Sequence, residues 1–182
     1  LDYKELIVPN SAKIDDAIDV FDRVNSLGTK LTDAELALTH ITGKWPTASK
    51  EMKKAIDSHK TNNMQLSLDF MTRCVVICLT KSALFESLDY AKYEKDDYIN
   101  AWKQVKKVCD YLLPILRNLA KIHDTNYLST TNLLIPMVAY LLANNVFDEK
   151  TKNGFIYWMF MAMIWQRYSG QTNQRLDKDV QI

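Results

Sequence analysis

The strongest constraint on this chain is a stripe of apolar residues, Tyr98, Trp102, Val105, Cys109, Leu112, Leu116 and Leu119, which recur in alternating steps of four and three. That spacing keeps one side of a helix apolar over about six turns, and such a helix must lie lengthwise against other helices. Pro114 stands inside the stripe, where it removes one backbone hydrogen bond and predicts a kink. Four Gly and four Pro in 182 residues supply too little turn chemistry for many short strands. The expected class is therefore all-α, a multi-helix bundle.

Further helices are expected from Thr32, from about 48 to 59, from 64 to about 82, from 130 to 144 and from 150 to 168. Thr32 with Glu35 three residues later has the spacing of a capping box. Residues 133–143 and 155–165 are uninterrupted apolar runs, each well short of the ~20 residues needed to span a bilayer. Both read as buried core, and the second, apolar on all sides, reads as the centre of the bundle. Its Met, Phe and Trp content would also suit a ligand groove, but bundles use such residues mainly as core.

Ahead of the bundle, Leu6, Ile7 and Val8 form a β-prone run ended by Pro9, and no later segment offers a partner strand. Ile14, Ile18, Phe21 and Val24 then recur at helical spacing behind Asn10 or Ser11 as cap. Residues 1–30 are expected to be a strand-helix remnant at the edge of a neighbouring domain, and 31–182 a helical bundle domain. The abrupt start and finish read as a piece of something longer.

Charge excludes little. Residues 1–40 carry a net charge of −4 and the remainder +5, so neither part demands nucleic acid. The opening decapeptide has charges where a signal peptide would have an apolar run. Cys74, Cys78 and Cys109 lie in apolar helical stretches without a C-x-x-C pair, as reduced thiols of a cytoplasmic protein would.

Few constellations bear chemistry. Asp15, Asp16 and Asp19 spell D-D-x-x-D, a spacing that could share Mg²⁺ with a diphosphate as in prenyl-chain synthases, or that simply places acids at a helix N-terminus. With no second Asp-rich box, the helix-terminus reading is preferred. His40, His59 and His123 are scattered, and no metal site is expected; His123 is expected to face the last carbonyls of a helix. Phosphate-cradling loops and nucleophile motifs are absent from the sequence. Lys50, Lys53, Lys54 and Lys60 share one helix and Lys103, Lys106 and Lys107 another, a surface that could track DNA phosphates or be an ordinary solvated face.

Residues 21–36, FDRVNSLGTKLTDAEL, have less to do with packing. Arg23 and Asn25 end an acidic amphipathic helix beside a turn in which Gly28 permits a positive φ and Thr29 offers a hydroxyl. Such groups make either an anion-recognition corner or a structural turn with Asn25 as C-cap and Arg23 paired to Asp19 or Asp22.

These residues resemble the second signature of the DUF262 proteins, the ParB-like, GmrS-type proteins of bacterial and archaeal modification-dependent restriction and phage defence. Phe21 and Asn25 match its F-x-x-x-N element, and Gly28, Leu31, Glu35 and Leu36 its G-x-x-L-x-x-x-E-L element. Residues 168–179, YSGQTNQRLDKD, look like the family's helical part. The resemblance implies a ParB-like domain that hydrolyses a nucleoside triphosphate through a D-G-Q-Q-R motif, a helical region, and often a C-terminal nuclease. Neither D-G-Q-Q-R nor an H-N-H-like signature occurs in this sequence. For this chain it implies no catalysis and no cofactor of its own, with NTP and Mg²⁺ belonging to the whole protein. Asn25 would border the nucleotide pocket, with Phe21, Arg23, Gly28 and Thr29 around it. The implied partners are the rest of the same chain, an effector and DNA, with no membrane; a stand-alone helical protein-interaction module is the alternative.

Overall fold

The computed structural model describes Val20 and residues 31–60 and 63–181. At residue 32 the chain turns from extended into helical backbone, and the reason is local. The Thr32 hydroxyl accepts from the Glu35 N–H at 3.2 Å while the Glu35 carboxylate accepts from the Thr32 N–H at 2.9 Å. Two N–H groups with no helical partner are thereby satisfied. Helix α1, Asp33–Lys44, starts at this capping box, passes through Gly43, and closes at Trp45, whose N–H bonds Ile41 O.

After a tight turn at Pro46 comes α2, Ala48–Lys60. Helix α3, Leu68–Thr80, starts four residues later than the pattern predicted. The Thr125 hydroxyl accepts from the Gln65 N–H and donates to the Gln65 carbonyl, at 3.0 and 3.2 Å, and the Thr125 N–H bonds Asn63 O. Held extended by that contact, the chain begins the helix only at Ser67, whose hydroxyl accepts from the Phe70 N–H.

Helix α4, Lys95–Asn118, carries the stripe. Tyr98, Trp102, Val105, Cys109, Leu112 and Leu116 are all buried, as expected, but Leu119 is the C-cap and 46% exposed. The helix continues through Pro114, leaving the Asp110 carbonyl without its helical donor. Short 3-10 turns at Thr125–Tyr127 and Thr131–Leu134 lead to α5, Ile135–Asn144, with Pro136 in its first turn. Helices α6, Glu149–Ile164, and α7, Thr172–Val180, complete the order.

Among the described residues there are seven α-helices and no strand. The strand-helix remnant expected over residues 1–30 lies outside the described residues apart from Val20. Helix α3 sits at the middle of the bundle, packed on α1, α2, α4 and α5, while α5 packs on α4 and α7. No helix among the described residues is long and apolar enough to cross a membrane.

The expectation that residues 155–165 form the centre of the bundle is overturned. Only Met159 and Ala162 of α6 are buried, whereas Tyr157, Ile164 and Trp165 are each 70% or more exposed. The helix packs against the Thr131–Leu134 turn at the edge of the bundle. Beyond it, α7 is tied down by polar contacts. Asp177 accepts from the Ser82 hydroxyl and the Ala83 N–H, and Asp179 accepts from Arg167 and the Tyr168 hydroxyl. In residues 168–179 these side chains act as structural anchors.

Candidate functional site

Phe21, Arg23, Asn25, Gly28 and Thr29, the residues expected around a nucleotide, lie outside the described residues, as do Asp15, Asp16 and Asp19. Of the same signature, Glu35 is described, and its task is the capping box. The Thr32 N–H and hydroxyl both reach the Glu35 carboxylate, and these hydrogen bonds hold its pKa below the usual range.

The lysines expected to meet DNA divide by surroundings. Lys50, Lys53 and Lys54 are exposed and rim a shallow depression with Pro46, Ser49 and Asp57. On α4, Lys103 is exposed, Lys106 is 2.5 Å from Asp110, and the Lys107 ammonium sits 5.3 Å from the Phe147 ring centroid. Asp57 and Asp110 interrupt both clusters, so neither helix presents a face of a single sign. His59 Nε2 lies buried 3.2 Å from Asp110 Oδ1, without a hydrogen bond aligned between them, so the end of α2 meets the middle of α4 beside Lys106. Burial lowers the His59 pKa, and attraction to Asp110 only partly offsets this.

His40 is stacked on Tyr90 with centroids 3.7 Å apart, and His123 is exposed. At the latter, the helix-end role expected of the histidine is not the local polar feature. Helix α4 ends earlier, at Asn118, and Asp124 caps the next 3-10 turn by accepting from the Asn126 N–H. No group of three or more potential metal-ligating side chains occurs among the described residues. All three cysteines are free; burial raises the Cys74 and Cys78 thiols and pushes Cys109 up to about 12, which suppresses the nucleophilic thiolate.

A half-open cleft of about 500 Å³ lies between α5 and α6, and Phe155 and Trp158, from the run whose composition also suits a ligand groove, line it. Met137 and Tyr140 of α5 form one wall and Phe155 and Trp158 of α6 the other. The Tyr140 and Phe155 rings meet edge to face, 5.6 Å apart. Asp148, Lys150 and Asp179 bring charge to it. Asp148 caps α6 by accepting from the Thr151 N–H at 2.7 Å, and hydrogen bonding from the Thr151 side chain and then its backbone lowers the Asp148 pKa.

Gly154 also lines this cleft, in the interior of α6. A Cβ added there would meet nothing within 4 Å, and its φ is not in the left-handed region. Glycine inside a helix costs about 0.5–1 kcal/mol relative to alanine, and no close approach or turn accounts for it here. Gly154 sits where a strong helix former is expected, a second signal beside the aromatic content of residues 155–165.

Comparison with protein-family models, with curated proteins and with solved structures finds no match to this chain.

Proposed function

We propose that this chain is the non-catalytic helical portion of a DUF262, GmrS-type restriction or phage-defence protein, coupling an upstream NTP-hydrolysing ParB-like domain to an effector. The observation that supports the reading is the Thr32–Glu35 capping box. Glu35 belongs to the resembling signature, and here its carboxylate fixes the first turn of the bundle. Ala34 and Ala37, on the same helix, are buried, and α1 packs on α2 and α3. A displacement of the segment holding Phe21, Arg23, Asn25, Gly28 and Thr29 would thus be delivered to a rigid helix start. Exposed Lys50, Lys53, Lys54 and Lys103, with Lys106 and Lys107, provide the cationic groups for any DNA contact.

The test uses a longer protein that includes the upstream sequence. Asn25→Ala should lower nucleotide hydrolysis at least about tenfold, the loss of one charge-assisted contact or more. Thr32→Ala should leave the hydrolysis rate intact but abolish nucleotide-dependent protection of α1 in hydrogen exchange. Unchanged hydrolysis in the first variant removes Asn25 from the pocket; unchanged protection in the second removes the coupling.

A second reading, a stand-alone helical interaction module, is favoured by the exposed side chains of Tyr157 and Ile164 on α6 and Trp165 at its end. A D-G-Q-Q-R element in the sequence upstream would favour the first reading over this one.

A further inference from the structure

The cleft between α5 and α6 has the size of a small-molecule site, since such sites run to roughly 300–1,000 Å³ and this one is about 500 Å³. Its walls offer three aromatic rings, Tyr140, Phe155 and Trp158. Aromatic faces carry negative potential and attract cations, most strongly where water is partly excluded. Asp148 and Asp179 face the cleft against the single Lys150, an exposed side chain whose ammonium can remain in water. Arg167 pairs with Asp179 from outside the lining, and Asp148, exposed like Lys150, caps α6, so the acids and bases around the cleft balance and its preference for a cation rests on the rings. Gly154 adds an independent mark. It keeps the α6 wall free of a side chain where the protein itself has nothing to accommodate.

We propose that this cleft binds an organic cation on a compact apolar body, of the quaternary-ammonium or methylated-lysine type, on the aromatic lining of Tyr140, Phe155 and Trp158, with the Asp148 carboxylate at its rim. The site is independent of the nucleotide-coupling role and needs only the described bundle.

Calorimetric titration of the 182-residue chain with benzyltrimethylammonium, and with phenylacetate as an anion of similar size, tests this directly. Saturable binding of the cation and none of the anion is expected. A short peptide bearing a central trimethyllysine separates the two sources: tighter binding than the small cation identifies a side chain of a partner, weaker binding a free ligand. Gly154→Phe, which fills the cleft, should weaken cation binding by at least about tenfold, whereas Gly154→Ala should retain it. Asp148→Asn should weaken it about fivefold, and because Asn caps helices as well as Asp does, circular dichroism should be unchanged. Absence of cation binding, equal binding of phenylacetate, or wild-type affinity in a folded Gly154→Phe variant would each overturn the assignment.

Discussion

Helices α4 and α6 are both rich in apolar side chains, but the bundle treats them in opposite ways. Ten side chains of α4 are buried, and two of α6. On α4 the apolar residues keep to one side, with Lys103, Lys106 and Lys107 on the other, so a single rotation about the helix axis satisfies every residue. From Phe155 onward α6 has no polar side to oppose its apolar one, so its own sequence does not select which face turns inward. Neighbouring elements decide, and the Thr131–Leu134 turn claims only a narrow strip. Apolar content without a period leaves side chains available for contacts outside the core, as Tyr157, Ile164 and Trp165 are, or for lining a cleft, as Phe155 and Trp158 do.

Paired truncations break the comparison most directly. Leu116→Ala on α4, a site 2% exposed, should lower unfolding free energy by about 2–5 kcal/mol through lost transfer energy and a residual cavity. Ile164→Ala on α6, where the side chain is 71% exposed, should stay within about 0.5 kcal/mol. Urea titration measures both. Equal losses would mean that α6 is covered in solution, for instance by a second copy of the chain, and the contrast between the helices would disappear.

The two helices should also depend differently on their first turns. Asp148→Ala removes the side chain that accepts from the Thr151 N–H and with it the N-cap of α6. With so little burial behind it, α6 should then show faster amide exchange along its whole length. Asp97→Ala removes the carboxylate that accepts from the Glu94 N–H at 2.9 Å at the start of α4, yet exchange should accelerate only in that helix's first turn, because ten buried side chains hold the remainder. If the Asp148 variant also frays only its first turn, α6 is held by more than its exposure indicates.

The range of the forces involved explains which features were legible in the sequence. The capping box at Thr32 and Glu35 and the stripe on α4 are set by residues within a few positions of each other, and both were visible as pattern. The start of α3 was not, because Thr125, sixty positions away, holds Gln65 in extended backbone. The inward face of α6 was misjudged for the same reason. Phe21 and Asn25, which carry the resemblance, and Arg23 between them fall outside the described residues. The Met, Phe and Trp content of residues 155–165 suited a groove, but its place could not be read, since Tyr140, Phe155 and Asp179 come together only when α5, α6 and α7 pack.

The smallest effect concerns the other side of α4, where His59 of α2 faces Asp110. Burial is the largest influence on His59 and lowers its pKa below the ordinary 6.5; Asp110 opposes that shift and Lys106 reinforces it. The unfolded chain therefore takes up the proton first. Above the unfolded pKa both states are neutral and stability is unaffected, while below it the unfolded state binds more protons and stability falls. Urea midpoints should decline as pH is lowered from about 7.5 to about 5.5, and His59→Gln should flatten that decline. A gain in stability over the same interval, lost in the variant, would show that attraction to Asp110 outweighs burial. The contact would then be an ion pair clamping α2 onto α4, and the solvent-facing side of α4 would contribute to the bundle alongside its buried stripe.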